Sequence, residues 1–207
     1  ARYLSEVSGI KGEQTLFIPL DDDCELWDVR LTNAGNTSRN LSVFGYCEFS
    51  FHNIDIDYQN FQMSLYCAGT RFVDGLVEYE LKYEENTFEF FAMSGTPDSH
   101  DCLRDAFLGA YRTERNPLGV ERGTLSGSEE LGNNHCGALH RRVTLAPGET
   151  VRLRYLVGPG GAATGKALRD KYDDQTTDAA FQALAEHWAE KLSQLQVKTP
   201  DADMDTS

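Results

Sequence analysis

The chain has 207 residues, 40% of them hydrophobic and 11% aromatic, which is enough apolar material for one sizeable core. A formal net charge of -14 repels the phosphates of nucleic acids and of anionic membranes, which argues against both as partners. Because the sequence also contains no apolar run of the ~18 residues that a membrane-spanning helix needs, it predicts a soluble protein.

The cysteines favour a reducing environment. They are odd in number, have no framework spacing, and several lie in strand-like apolar segments where a reduced thiol behaves as a small hydrophobic side chain. We therefore predict a cytoplasmic location. The first residues already have strand character and the last seven contribute nothing to a core, so we expect the chain to be a piece of a longer protein. The cysteines are Cys24, Cys47, Cys67, Cys102 and Cys136.

Three strand-like segments open the chain. Residues 13–20 (EQTLFIPL) favour β-structure and end at Pro19 and an acidic turn. Residues 24–33 alternate, with Trp27, Val29 and Leu31 on one face and Leu26, Asp28 and Arg30 on the other. Residues 39–51 are apolar on both faces, which places this strand in the middle of a layered structure.

The middle of the chain continues the β pattern. Residues 75–83, 87–93 and 107–120 read as strands, the last interrupted by Gly109, Asn116 and Pro117, and residues 123–137 read as a loop. Residues 139–145 and 150–157 predict a β-hairpin. Its turn is of type II, because Pro147 fixes φ at the first central position and Gly148 tolerates positive φ at the second.

An amphipathic helix follows from residue 177, with Thr176 or Thr177 as N-cap. Its apolar stripe is wide enough to require a partner surface. The predicted fold is mainly β, a multi-stranded antiparallel β-sandwich followed by a C-terminal linker helix. The stripe consists of Phe181, Leu184, Ala185, Trp188, Leu192 and Leu195.

Metal and nucleophile chemistry receive little support from the residues. His100-Asp101-Cys102 and Asn134-His135-Cys136 supply the ligand types of zinc, but adjacent His-Cys pairs differ from the knuckle spacings of structural zinc sites. No base is placed beside a thiol, and there is no nucleophile elbow or phosphate loop. We predict no metal site.

Several acidic pairs are candidates for a glycosidase dyad. They are Asp55 with Asp57, Asp101 with Asp105, and Glu84 with Glu85. A dyad is defined by the separation of its carboxylates in space, which sequence cannot supply. For each pair a solvated surface is the favoured interpretation, because a surface Asp or Glu is rarely catalytic.

Residues 44–65 offer sugar-binding chemistry. Aromatic faces stack on the C–H patches of sugars, while amides and carboxylates hydrogen-bond pairs of hydroxyls. A loop whose amides satisfy its own backbone explains the same composition, and the residues alone leave both interpretations open. The side chains concerned are His52, Asn53, Asp55, Asp57, Tyr58, Gln59, Asn60, Phe61 and Gln62.

The order of several motifs resembles a known family. VSGIKGEQTLFIPLDDDCELWDVRLTN is followed by FGYCEFSF, DYQNFQMSL, DAFLGAYRTERNPLGVERG, LAPGETVRLRYLVG and HWAEKLSQLQV. This order is similar to the N-terminal region of the cellobiose and cellodextrin phosphorylases of glycoside hydrolase family 94. Met63 stands after Gln62 where cellobiose-specific members tend to carry a basic residue, so the resemblance favours the cellodextrin branch.

The resemblance implies a glycosyltransferase-type phosphorylase. Residues 1–160 would belong to its N-terminal β-sandwich and residues 161–207 would begin a helical linker to a catalytic (α/α)6 barrel outside this chain. In the family an Asp protonates the glycosidic oxygen while inorganic phosphate attacks the anomeric carbon with inversion. Phosphate is a co-substrate and no cofactor is implied. No catalytic residue matches this chain, which is therefore expected to be inactive alone.

The resemblance also implies a homodimer in which a sandwich loop reaches the partner subunit's cleft and contacts a cello-oligosaccharide. Gln62 would hydrogen-bond sugar hydroxyls, and Tyr58 or Phe61 would stack. Arg112 and Arg115 form a second candidate surface, for a carboxylate or phosphate, although ordinary surface arginines in an acidic protein are the favoured interpretation. A free-standing carbohydrate-binding module and a metal or thiol enzyme remain as alternatives. The substrate-binding residues implied are Asp57, Tyr58, Asn60, Phe61, Gln62 and Met63.

Overall fold

The structure, a computed structural model, describes residues 1–49, 55, 66–82, 85–194 and 199–200. These residues form eleven β-strands and four α-helices. The strands are β1 Arg2–Val7, β2 Ile10–Phe17, β3 Glu25–Asn33, β4 Arg39–Glu48, β5 Ala68–Val73, β6 Leu76–Leu81, β7 Phe88–Met93, β8 Ser99–Leu103, β9 Glu130–Leu131, β10 His135–Leu145 and β11 Thr150–Pro159. The helices are α1 Arg104–Leu108, α2 Leu118–Arg122, α3 Ala162–Lys171 and α4 Asp174–Ser193.

The strands form two sheets that face each other. The larger sheet has eight strands in the order β1-β2-β3-β11-β7-β6-β5-β9, and the smaller has three in the order β4-β10-β8. All the strand pairs described are antiparallel. The mainly β, antiparallel sandwich predicted from the sequence is therefore confirmed.

The sheets and helices form four layers, with three apolar clusters between them. The central cluster lies between the sheets and contains Phe91, Leu139 and Tyr155. A second cluster joins the outer face of the large sheet to α3 and α4, and a third joins the outer face of the small sheet to α1. The predicted alternation in β3 is confirmed, because Trp27 packs against the central cluster while Leu26 belongs to the helix-side cluster.

Strand β4 packs on both faces, as its sequence predicts. Val43 and Cys47 point into the central cluster, whereas Phe44 and Tyr46 pack against the cluster under α1. The strand nevertheless lies at the edge of its sheet. Gly45 lets the sheets approach, because a Cβ at this position would stand 2.2 Å from the Tyr155 ring.

The predicted hairpin is wrong, although its turn is present. Gly148 has φ +78°, and the Glu149 amide donates to the Ala146 carbonyl at 3.0 Å. However, β10 pairs with β4 and β8, whereas β11 pairs with β3 and β7, so the turn passes from one sheet to the other. Buried Asn33 ties the turn to β3, since its backbone carbonyl accepts from the Gly148 amide at 2.8 Å.

Other strand predictions also need correction. Residues 107–120 were expected to be strand-like, but α1 and α2 occupy both ends of that interval, and α1 places Phe107 4.6 Å from the Tyr46 ring in a stacked contact. The predicted loop at 123–137 contains β9 and the start of β10. The strand character of the first residues is confirmed by β1, whereas the sequence pattern missed β5, β8 and α3. The strand predicted at 13–20 ends at Phe17.

Helix α4 begins at Asp174, three residues before the predicted start. Asp173 is its N-cap and forms a capping box with Thr176, whose amide donates to Asp173 Oδ1 at 2.8 Å. Only part of the predicted stripe is covered: Leu184 packs against the sheet, whereas Trp188 and Leu192 are 55% and 70% exposed. Leu195 lies outside the described residues.

An ion-pair network holds the start of α4 on the sheet. Arg152 Nε lies 2.6 Å from Asp28 Oδ1, and Arg152 Nη2 lies 2.7 Å from Asp178 Oδ1. Arg30 contacts the same two carboxylates, at 3.2 Å and 3.0 Å. Asp28 is buried and needs these partners, because an unpaired charge inside a protein is costly. None of the helices in the described ranges has the length and apolar character to cross a membrane.

Candidate functional site

The six residues that the resemblance assigns to sugar binding, at positions 57, 58, 60, 61, 62 and 63, lie outside the described residues. The nearest described residues on either side are Asp55 and Tyr66, and the described stretch before Asp55 ends at Phe49. Phe49 is buried and stacks on Tyr79, with ring centroids 5.0 Å apart, so it packs between the two sheets. We call this part of the space between the sheets the sandwich mouth. It comprises Phe49, the inward-facing residues Thr70, Tyr79 and Glu89, His135 opposite them, and the adjoining groove beside Trp27.

Polar side chains form a row across the mouth. Thr70 on β5 pairs in register with Tyr79 on β6, which pairs with Glu89 on β7. Glu89 lies on the same face of β7 as Phe91, two residues away, and Phe91 belongs to the central cluster. The row therefore faces the space between the sheets.

His135 is held at the end of this row. Its Nδ1 lies 2.8 Å from Thr70 Oγ1, and that hydroxyl donates to the Cys102 carbonyl at 2.9 Å. Because the hydroxyl hydrogen is used, His135 Nδ1 must carry a proton and donate it to Thr70. Burial lowers the pKa of His135, and the Ala68 carbonyl opposes this only in part, so the ring stays neutral near pH 7.

Glu89 is the unusual group in the mouth. The residue is 4% exposed, and within the described part of the chain its Oε2 has no hydrogen-bond partner. Burial raises the pKa of Glu89 to about 9. The carboxyl is therefore protonated at neutral pH, and in this form it both donates and accepts hydrogen bonds.

A groove of about 500 Å³ opens between the ends of β3, β4 and β11. Glu89 does not line it, but it pairs in register with Pro159, which does. Trp27 forms part of its wall, and the indole Nε1 donates to Glu25 Oε1 at 3.0 Å. The indole also packs against Phe91 in a tilted contact, with ring centroids 5.5 Å apart. The groove thus combines an aromatic ring with carboxylates. Its lining residues are Ile18, Asp23, Cys24, Glu25, Trp27, Cys47, Glu48, Val157, Gly158 and Pro159.

The candidate zinc ligands have other contacts. His100 stacks on Phe72 at 3.9 Å, and its Nε2 lies 3.4 Å from Glu129 Oε1. Cys102 and Cys136 are buried, and burial raises the pKa of both thiols, which keeps them protonated and unreactive. Among the described residues, no three His, Cys, Asp or Glu side chains are grouped to hold a metal ion.

The acidic pairs and the arginine surface also have structural partners. Asp101 is buried, and its Oδ1 accepts from the amides of Ser126 and Ser128, each at 3.1 Å. It anchors the loop before β9, while Asp105 is exposed on α1. Asp57 and Glu84, from the other two pairs, lie outside the described residues. Arg112 forms an ion pair with Glu121, and Arg115 is exposed.

The sequence interpretation overlooked Glu89 and the groove beside Trp27. Glu89 lay within the strand predicted at 87–93, and a single charge in the run FEFFAM was the available signal. A lone carboxylate among buried positions departs from the usual pattern of cores and so deserves a functional test. No sequence pattern indicated the groove, because strands that are far apart in the chain supply its walls.

Comparison with known proteins places the chain in a family. Residues 1–176 match the family model "Glycosyl hydrolase 94, supersandwich domain". The chain is 45% identical over 210 aligned positions to an N,N'-diacetylchitobiose phosphorylase of Vibrio proteolyticus, and 43% identical to that of Vibrio furnissii. A cellobionic acid phosphorylase of Neurospora crassa is 26% identical. These alignments cover 100%, 100% and 98% of this chain but only 26% of each relative, so the chain spans about a quarter of their length.

Proposed function

Since this chain belongs to the glycosyl hydrolase 94 supersandwich domain family, we propose that it is the non-catalytic supersandwich portion of a phosphorylase that cleaves a disaccharide with inorganic phosphate. The observation that carries the proposal is the 45% identity to a phosphorylase across the whole chain. The catalytic Asp and the phosphate ligands would lie in the remaining part of the longer polypeptide. Phosphate is the co-substrate, and the proposed reaction requires no further cofactor.

For the substrate we put N,N'-diacetylchitobiose first. The two relatives with 45% and 43% identity carry that name, whereas the cellobionic acid phosphorylase is 26% identical. Cellobiose and longer cellodextrins are the second candidates, and the presence of Met63 after Gln62 supports them. The two classes differ in the acetamido group of the sugar, so a direct comparison of substrates distinguishes them.

The role proposed for this chain is to support a homodimer and to supply residues 57–63 to the substrate cleft of the partner subunit. Residues 161–207 would begin the connection to the catalytic portion. All five cysteines are unpaired in the structure, which supports a location in the reducing cytoplasm. A free-standing carbohydrate-binding module is the second candidate function, and the groove beside Trp27, which combines an aromatic ring with carboxylates, favours it.

The test is phosphorolysis by the longer polypeptide. With phosphate we expect sugar 1-phosphate from N,N'-diacetylchitobiose at a higher kcat/KM than from cellobiose or cellotriose, and no product from residues 1–207 alone. Turnover by the 207-residue chain, or hydrolysis without formation of sugar 1-phosphate, would refute the proposal. A higher kcat/KM on cellotriose would restore the cellodextrin assignment.

The loop has its own test. In the longer polypeptide, Gln62→Ala should lower kcat/KM about tenfold or more, because one or two hydrogen bonds to sugar are lost, with little change in melting temperature. Gln182→Ala is the matched control, since Gln182 is exposed on α4 and contacts Glu186. Equal effects of the two substitutions on activity would refute the proposal that residues 57–63 contact substrate in the cleft.

A further inference from the structure

We propose that the free edge of β1 is an interaction surface for a second copy of this chain, and that the two β1 strands pair antiparallel across a two-fold axis at Leu4. The large sheet then continues from one chain into the other. The inference rests on the homodimer of the proposed function, which it deepens, and it does not involve residues 57–63. Three observations support it: the exposure of the strand, the direction of its backbone groups, and the order of its charges.

The first observation is that β1 is an unprotected edge strand. It is the end strand of the eight-stranded sheet, and all six of its residues are exposed, Tyr3, Leu4 and Val7 among them. Proteins usually protect such edges with very short strands, lysine, proline or bulges. The other end of the sheet follows this rule, because β9 has two residues. Strand β1 has an uninterrupted register with β2 and contains neither lysine nor proline.

The second observation is the direction of the backbone groups in β1. The Leu16 amide donates to the Ala1 carbonyl at 2.8 Å, and the Ala1 amino group donates to the Leu16 carbonyl at 2.7 Å. In an antiparallel pair, rows bonded in this way alternate with rows that lack these bonds. In the register of β1 with β2, Arg2, Leu4 and Glu6 belong to the rows that lack them. Their N–H and C=O groups therefore point away from β2, towards the open edge, where an added strand can bond them.

The third observation is the order of the charges along β1. When a two-fold axis relates two strands, a residue before the axis lies opposite a residue equally far beyond it in the partner. With the axis at Leu4, Arg2 lies opposite the partner's Glu6, so opposite charges meet twice. Opposite charges across a sheet stabilise the pair, and like charges destabilise it. An axis at Tyr3 or at Ser5 would leave one of the outward-facing residues without a partner in the strand.

The existing contacts of these side chains allow the pairing. Arg2 Nη2 lies 2.9 Å from Glu13 Oε1 within the same chain, and the Arg2 side chain is 61% exposed. A guanidinium has several N–H donors, so it can keep Glu13 and also contact a carboxylate of the second chain. Leu4, on the same strand face as Arg2, would pack against its own counterpart. A contact of one strand per chain is small, so we expect weak, reversible association.

A strand from the rest of the longer polypeptide is the competing occupant of this edge, because the chain spans only about a quarter of the length of its relatives. Such a strand would bond the same backbone groups. It would not require Arg2 and Glu6 to stand symmetrically about Leu4. The order of the charges therefore favours a second copy, and substitutions at these positions distinguish the two occupants.

Charge reversal tests the register. Sedimentation velocity of the 207-residue chain should show a monomer–dimer equilibrium. Arg2→Glu and Glu6→Arg should each weaken the dimer about tenfold, because each sets like charges together twice across the axis. An equimolar mixture of the two variants should regain the association of the parent, since opposite charges then meet in both rows. Glu186→Arg on exposed α4 is the matched control and should leave association unchanged.

Two results of this experiment would overturn the proposal. The first is a parent chain that stays monomeric at about 1 mM, where even a weak dimer is populated. The second is a mixture of Arg2→Glu and Glu6→Arg that associates no better than either variant alone.

A disulfide tests the position of the axis. In a hydrogen-bonded row the two Cα atoms stand about 5.5 Å apart, within the range that a disulfide spans. Leu4→Cys should therefore form a covalent dimer under mild oxidation, above the level given by the thiols of the parent. Val7→Cys on the same exposed strand is the matched control, because the two copies of Val7 lie about 20 Å apart in this register. Equal dimer formation by both variants, or by neither, would refute an axis at Leu4.

The longer polypeptide tests the competing occupant. Leu4→Cys should form the covalent dimer there too, whether or not the protein releases sugar 1-phosphate, so failure of the pairing and failure of the proposed phosphorolysis are separate results. Absence of the covalent dimer would overturn the proposal for the longer polypeptide. Slow hydrogen exchange of the Leu4 and Glu6 amides in a monomeric longer polypeptide would assign the edge to another of its strands and would overturn the proposal as well.

Discussion

Replacing Glu89 with Gln should make the isolated chain more stable at neutral pH. The side chain is buried and has no charged partner among the described residues, and burial raises its pKa from 4.5 to about 9. At pH 7 the unfolded chain has released this proton, whereas the folded chain retains it. Keeping the carboxyl protonated at pH 7, which is 2.5 units above its unfolded pKa (7 minus 4.5), costs free energy on folding. Gln has nearly the same shape and no proton to retain, so the substitution removes this cost.

The size of the effect follows from the pKa difference. One pKa unit corresponds to about 1.4 kcal/mol, so the penalty at pH 7 is about 3 kcal/mol. The raised pKa means that the stabilising contribution of the bound proton is complete below pH 4.5 and is lost as the pH rises through about 9. The stability difference between Glu89→Gln and the parent should therefore be near its minimum at pH 4.5 and should grow by about 1.4 kcal/mol per pH unit above it.

Urea unfolding at several pH values between 4.5 and 8, followed by circular dichroism, measures this difference. Glu190→Gln, a substitution at an exposed site on α4, controls for the removal of one carboxylate. A difference that stays constant over this pH range, or a Gln variant that loses stability relative to the parent as the pH rises, would refute the assignment of a buried, protonated Glu89.

Three further predictions concern packing and charge. Gly45→Ala should destabilise the chain by about 1–3 kcal/mol in urea unfolding, because its Cβ would stand 2.2 Å from the Tyr155 ring, and a normal midpoint would show that the ring moves freely. Asp28→Ala should destabilise the chain by about 1–3 kcal/mol, because Arg152, whose side chain is 13% exposed, loses its buried partner and keeps only the exposed carboxylates of Asp174 and Asp178. Asp28→Ala combined with Arg152→Leu should recover part of that loss, and a double variant no more stable than Asp28→Ala would argue against the ion pair. Trp188→Phe should change the free energy of unfolding by less than about 0.5 kcal/mol, because Trp188 is 55% exposed, and a larger loss would mean that α4 has a partner in the isolated chain.

Much of the local structure was predictable because its cause is local. The alternation of Trp27 and Leu26 assigned the two faces of β3 correctly, since side chains of a strand point to opposite sides with a period of two. The turn at Gly148 followed from the conformations that proline and glycine allow. Helix α4 followed from its apolar spacing, although Asp173 caps it three residues earlier than expected. The order of motifs also placed the chain in its family, which the match over residues 1–176 confirms.

The tertiary structure decided which strands pair and which side chains lose contact with water. Strands β10 and β11 are joined by a hairpin-like turn, yet each pairs with distant strands, because strand pairing depends on the register and burial offered by other parts of the chain. The same holds for the mouth: Glu89 is an ordinary glutamate in the sequence, and its pKa of about 9 arises only from burial beneath residues far from it along the chain. Burial is a property of the assembled layers, so the chemistry of Glu89 and the groove beside Trp27 emerged only with the fold.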